Sequence, residues 1–96
     1  MPKGYWIGHV DVHNADEYPE YLKTAKAAYE KYGAKFIIRG GASDTVEGKL
    51  GSRHIVIEFD SYDTAKACYH STEYAAARKI RQANADGDIV IVEGVD

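Results

Sequence analysis

The chain has 96 residues, 45% hydrophobic and 28% charged. That describes one globular domain and excludes a disordered or fibrous protein. A net charge of -3, with no run of Lys/Arg longer than two, excludes the concentrated cationic surface that nucleic-acid binding requires. No apolar run approaches the ~20 residues of a membrane span. The single cysteine, Cys68, allows no internal disulfide. Met1 to Trp6 shows no apolar leader, so the expectation is a cytoplasmic protein.

Tyr5 to Val12 alternates, with Trp6, Gly8, Val10 and Val12 on one face and Tyr5, Ile7, His9 and Asp11 on the other. This period of two predicts a strand. A helix start follows at His13 to Glu17, with Asn14 or Asp16 able to cap and Pro19 favouring Asp16. Tyr18, Tyr21, Leu22, Ala25, Ala28, Tyr29 and Tyr32 form one helical stripe, which Gly33 is placed to end. Lys35 to Arg39 reads as a second strand. Gly40-Gly41 predicts a bulge or a close backbone approach, and Thr45 to Glu47 continues the strand beyond it. Gly48 to Ser52 is the loop into a third strand, His54 to Phe59.

Ser61 caps the next helix, with Asp63 favourable in its first turn. His70 to Glu73 interrupts that helix, and Ser71 caps a second segment running to about Ala85. Asp86-Gly87-Asp88 is the expected stop. Ile89 to Val92 is a continuous apolar run, which predicts a strand buried on both faces.

The order strand-helix-strand-strand-helix-strand predicts an α+β fold, the ferredoxin-like βαββαβ sandwich. It has one four-stranded antiparallel sheet of order 4-1-3-2 with its helices on one face. Ile7, Ile37 and Val56 would then face water on the other side. That predicts a homodimer whose two sheets pack into a dimeric α/β barrel.

Tyr5-Trp6-Ile7, Asp11-Val12, Phe36-x-x-Arg39-Gly40-Gly41, Glu47-Gly48, Ile57-Glu58-Phe59, Ser71-x-Glu73-Tyr74 with Arg78 and Arg81, and Val92-Glu93-Gly94 span nearly the whole chain. This run resembles the domain-of-unknown-function family 1330, although Thr72 stands where many members carry proline. The resemblance implies the dimeric α/β-barrel superfamily of ferredoxin-like fold. Relatives there include cofactor-independent monooxygenases, small isomerases and haem-degrading enzymes. It implies no catalytic residue.

The expected topology places His9 and Tyr5 of the first strand, Arg39 of the second, and His54 and Glu58 of the third on the face away from the helices. Such a cavity suits a small anionic or phenolic molecule. Arg39 supplies a fork for a carboxylate, and His9 or His54 carries a proton near neutral pH. Gly40 and Gly41 let a ligand approach the backbone, and Arg78 is a further anion contact. Each has a structural alternative. An Arg39–Glu58 ion pair serves folding alone, and the sequence favours that reading. Arg78, Lys79 and Arg81 read as a solvated helix end, with Arg78 packing over Tyr74. Cys68 reads as a buried inert thiol.

His9, His54 and Glu58 are metal-ligand types, but no tight motif such as His-x-x-x-His occurs, so neither metal nor cofactor is expected. No Ser-His-Asp arrangement or nucleophile elbow points to a hydrolase. Two functions remain: a small-molecule-binding barrel with cofactor-independent catalysis, and a dimeric interaction module without chemistry.

Overall fold

Alternation in the first strand sets the two layers of the molecule. The computed structural model describes residues 2–96. Its elements are β1 (Gly4–Val12), α1 (Tyr18–Tyr32), β2 (Lys35–Arg39), β3 (Arg53–Phe59), α2 (Tyr62–Tyr69), α3 (Thr72–Asn84) and β4 (Ala85–Glu93). The strands form one antiparallel sheet in the order β2-β3-β1-β4, which is the expected order seen from its other edge. In β1, Trp6 and Val10 are buried beneath the helices, while Tyr5, Ile7 and His9 lie on the uncovered face. Among the described residues, no helix is long and apolar enough to cross a membrane.

Helix α1 buries Tyr18, Tyr21, Ala25 and Ala28, a single stripe at spacings of three and four. Gly33 ends it in the left-handed region at φ 67°, its N–H donating to the Tyr29 carbonyl. The start differs from expectation. Neither Asn14 nor Asp16 caps it; Glu17 takes the cap position without a side-chain bond. Pro19 presets the first turn, and the Asn14 amide is engaged elsewhere, donating to Asn84 Oδ1 at 3.0 Å. The interrupted helix is two helices, each capped as expected. Ser61 Oγ accepts from the Thr64 N–H, and Ser71 Oγ accepts from the Tyr74 N–H, both at 3.1 Å.

Three expectations in the strands are corrected. Thr45 to Glu47 adds no strand. The irregularity in β2 sits between Phe36 and Ile38, at Ile37, not at the glycine pair. Gly40 instead closes the ladder in a left-handed turn at φ 70°, donating to the His54 carbonyl at 2.9 Å. The third correction is β4, which begins at Ala85 and runs through the expected stop, pairing Asp86 with Asp11 and Asp88 with His9.

Gly87 makes that pairing possible, because a Cβ there would lie 2.4 Å from the His9 carbonyl oxygen. Gly87→Ala is expected to cost about 1–3 kcal/mol through this backbone clash, measured as a lower urea midpoint with unchanged slope. Nor is β4 buried on both faces. Ile89 and Ile91 pack on the core, whereas Val90 and Val92 are 54% and 39% exposed.

Candidate functional site

Cross-strand register brings together several of the expected site residues on the uncovered face. Tyr5 stands opposite Glu58, and its hydroxyl donates to Glu58 Oε2 at 3.3 Å. Lys3 Nζ lies 3.8 Å from the other carboxylate oxygen. Partial burial, followed by the Glu58 charge and hydrogen bond, raises the Tyr5 phenol above its ordinary pKa. His9 stands opposite His54, with their Nδ1 atoms 2.8 Å apart. One Nδ1–H donates and the other nitrogen accepts.

The loop between β2 and β3 folds beside this pair and forms a concavity of about 400 Å³, lined by His9, Ser43, Asp44, Thr45, Val46, Glu47, Leu50 and His54. Asp11 ties the loop to β1 by accepting from the Ser52 N–H at 2.8 Å. That bond, above all, holds the Asp11 carboxyl below its ordinary pKa.

Arg39 is not part of this group. The irregularity at Ile37 shifts the alternation of β2 by one, so Ile38 pairs with Val56 and Arg39 with Ile55. A one-residue shift sends every following side chain to the opposite face. The Arg39 guanidinium therefore lies 4.3 Å from the Phe36 ring centroid. It lines a groove with Leu22, Lys26, Tyr29 and Glu30 of α1. No Arg39–Glu58 pair forms, so the structural ion pair is overturned, and Arg39 does not share the open face with Glu58.

The remaining ligand candidates are also dispersed. Gly40 sits against the Arg53 side chain, and Gly41 has no neighbour that a Cβ would meet. Arg78 covers Tyr69, at 5.4 Å from its ring centroid, and not Tyr74.

A second site lies inside, between sheet and helices. Trp6 is ringed by Tyr29, Phe59, Tyr69 and Tyr74, with centroids 5.0 to 5.9 Å away. The Tyr21 hydroxyl bonds both Tyr29, at 2.9 Å, and Tyr74, at 2.8 Å. Beside them is a chamber of about 30 Å³ whose lining includes Trp6, Tyr18, Tyr21, Ile55, Arg81 and Ile89. That holds about two water molecules.

Arg81 is only 6% exposed, and among the described residues it forms no ion pair. Its Nε has no hydrogen-bond partner, and neither does the buried Tyr18 hydroxyl. Burial opposes the Arg81 charge, but the phenol oxygens of Tyr74, Tyr21 and Tyr69 outweigh it and hold the guanidinium above its ordinary pKa.

Arg81 and Ile89 also line an outer vestibule of about 310 Å³, with Tyr69, Gln82, Ala85, Asp86 and Gly87. Arg81 thus borders both the inner chamber and the outer vestibule. The sequence reading placed Arg81 on a solvated helix end. The missed signal is spacing, since Tyr74, Ala77, Arg81 and Asn84 are the buried stripe of α3.

Solved structures share this architecture. A protein of unknown function from Rhodopseudomonas palustris superposes with a TM-score of 0.78 at 16% identity, covering 99% of this chain and 84% of that one. The cofactor-independent oxygenase SnoaB of Streptomyces nogalater gives 0.66 at 9% identity, covering 100% and 96%. A dimeric protein of unknown function and ferredoxin-like fold from Bacteroides fragilis gives 0.55 at 18% identity, covering 95% of each chain. Identities this low establish the fold alone. No curated protein matches the chain. The model of the domain of unknown function DUF1330 matches residues 3–95, and with the ferredoxin-like sheet and helix layer described above, the chain belongs to that family.

Proposed function

We propose that the protein is a homodimer that binds a small anionic molecule beside Arg81, with its body in the vestibule and its charged end toward the chamber. The observation that carries this reading is the buried guanidinium without a carboxylate. Desolvating a cation costs several kcal/mol unless it is compensated; here the compensation comes from phenol oxygens, and among the described residues no carboxylate forms an ion pair with Arg81. A carboxylate, enolate or phenolate fits, held through Arg81 with the unpaired Tyr18 hydroxyl as an available proton donor. The aromatic wall suits a ligand with an unsaturated body. The fold shared with a cofactor-independent oxygenase supports chemistry at such a site, and the reading calls on no cofactor.

Dimerisation rests on the uncovered sheet face, where Ile38, Val90 and Val92 are exposed around Ile7 and Val56. A second copy packed sheet to sheet covers them. The dimeric relative of the same fold supports this arrangement. A monomeric mass at micromolar concentration overturns it.

A thermal-shift screen of small carboxylates and phenols on wild type and Arg81→Met tests the site. A ligand at 100 times its Kd adds about 2.7 kcal/mol, which at roughly 4–8 °C per kcal/mol is a Tm rise of about 10–20 °C in a domain of this size. The rise is expected in wild type and absent in the variant. Arg81→Met itself is expected to remain folded, because the apolar side chain removes the desolvation cost together with the charge that the phenol oxygens favour. A variant that loses about 3 kcal/mol, with no anion raising the wild-type Tm, makes Arg81 a structural residue and leaves the non-enzymatic interaction module as the reading.

A further inference from the structure

The His9–His54 pair lies outside the Arg81 site, on the opposite side of the sheet. The two residues are directly opposed across β1 and β3. Their rings meet edge to face, with centroids 5.0 Å apart, and both Nδ1 atoms turn toward each other at 2.8 Å. A shared proton satisfies this geometry, and a shared metal ion does so once that proton moves to Nε2 and leaves both Nδ1 lone pairs to the ion. Imidazole nitrogen stands ~2.0–2.1 Å from a bound first-row metal, so two nitrogens at this separation subtend roughly 85° at the ion. That is near the right angle of tetragonal or square-planar coordination, which Cu(II) and Ni(II) adopt, and well short of the tetrahedral angle of structural zinc.

The surrounding charge favours a dication. Asp88 of β4 is the register partner of His9. Asp11 follows two residues after His9 on the same face, with its carboxylate fixed by Ser52. Asp44 and Glu47 line the concavity that His9 and His54 share. Among the described residues, no third His, Cys, Asp or Glu completes a three-ligand set with the pair. The remaining coordination positions are therefore left to water or to a small ligand in the concavity.

We propose that His9 and His54 together bind one Cu(II) or Ni(II) ion per chain, as a two-imidazole site with open positions toward residues 43–50. The sequence spacing of 45 residues hides this site, because only strand register brings the two rings together.

The test is Cu(II) titration of the intact, untagged protein, followed by calorimetry and electron paramagnetic resonance. One equivalent per chain is expected, with a tetragonal spectrum split by two imidazole nitrogens. His9→Gln or His54→Gln is expected to weaken binding by about tenfold or more. Substituting His13 and His70, the other two histidines, leaves it unchanged. A folded His9→Gln/His54→Gln double variant that takes up one Cu(II) with the same spectrum overturns the proposal. So does a wild-type spectrum without two nitrogen ligands, a result that needs no variant to fold.

Discussion

Above pH 9 the protein is expected to lose stability progressively, and its fold with it, as pH rises toward about 12. The cause is a set of protons that the folded state holds and the unfolded chain gives up. Cys68 is fully buried, and burial, followed by the Glu73 charge, pushes its thiol up to about 12 from 9.0. Burial raises Tyr21 well above 10.0, with Tyr29 and Tyr74 adding to it. Burial and then Tyr74 raise Tyr29. Burial also raises Tyr18 against the opposing charges of Arg53 and Arg81.

For each group the folded pKa lies above the unfolded one. Its contribution is therefore complete below the unfolded value and is lost as pH rises toward the folded value. The Cys68 loss runs from about pH 9 to 12, and the tyrosine losses begin near pH 10. One pKa unit is about 1.4 kcal/mol. The Cys68 shift from 9.0 to about 12 by itself corresponds to about 4 kcal/mol, a large part of the ~5–15 kcal/mol that holds a domain together, and the tyrosines act in the same direction. Urea midpoints at pH 8, 9.5 and 11 should fall steeply, with phenolate absorbance from the core appearing only as circular dichroism is lost. A midpoint that stays level from pH 8 to 11 would show that these groups ionise without unfolding.

Trp6→Ala is expected to cost about 3–5 kcal/mol, the range for a large aromatic removed from a core. Trp6 is the centre of the aromatic cluster, in contact with rings from α1, β3, α2 and α3. Its indole N–H donates to the Ala65 carbonyl at 2.8 Å, joining β1 to α2. The substitution removes the shared packing partner of four rings and leaves that carbonyl with one bond fewer. Urea denaturation followed by fluorescence and circular dichroism measures it. Trp6→Phe keeps a ring and should lose only about 1–3 kcal/mol. Equal losses from the two substitutions would place the energy in the hydrogen bond and not in the packing. Trp6 also walls the chamber beside Arg81, so a folded Trp6→Phe is expected to admit larger anions than wild type.

What was legible in the sequence was what neighbours along the chain decide. Ser61 and Ser71 announce helix starts because a hydroxyl reaches an N–H three residues on. Gly33 announces a helix end because a left-handed residue without a Cβ costs little. Alternation in β1 and β3 was enough to put Tyr5, His9, His54 and Glu58 on one face, since both strands keep an unbroken period of two, but which of them stand opposite each other was decided by register. The extent of β4 was not legible. Asp86-Gly87-Asp88 carries turn-like residues, yet pairing with β1 draws all three into the sheet.

The two arginines mark the boundary between what the sequence by itself determined and what only the tertiary structure decided. The order of elements and the layer that each helical stripe must face follow from local propensity and hydrophobic period, which every residue carries with it. Arg39 changed faces because one extra residue at Ile37 is accommodated in β2, and a bulge of that size is selected by the partner strand. Arg81 became a buried, unpaired cation because α1, α3 and the sheet close around it. A charge reads as solvated until the elements that exclude water are in place. Burial depends on residues distant in the chain, so the candidate site came from packing although the fold around it came from pattern.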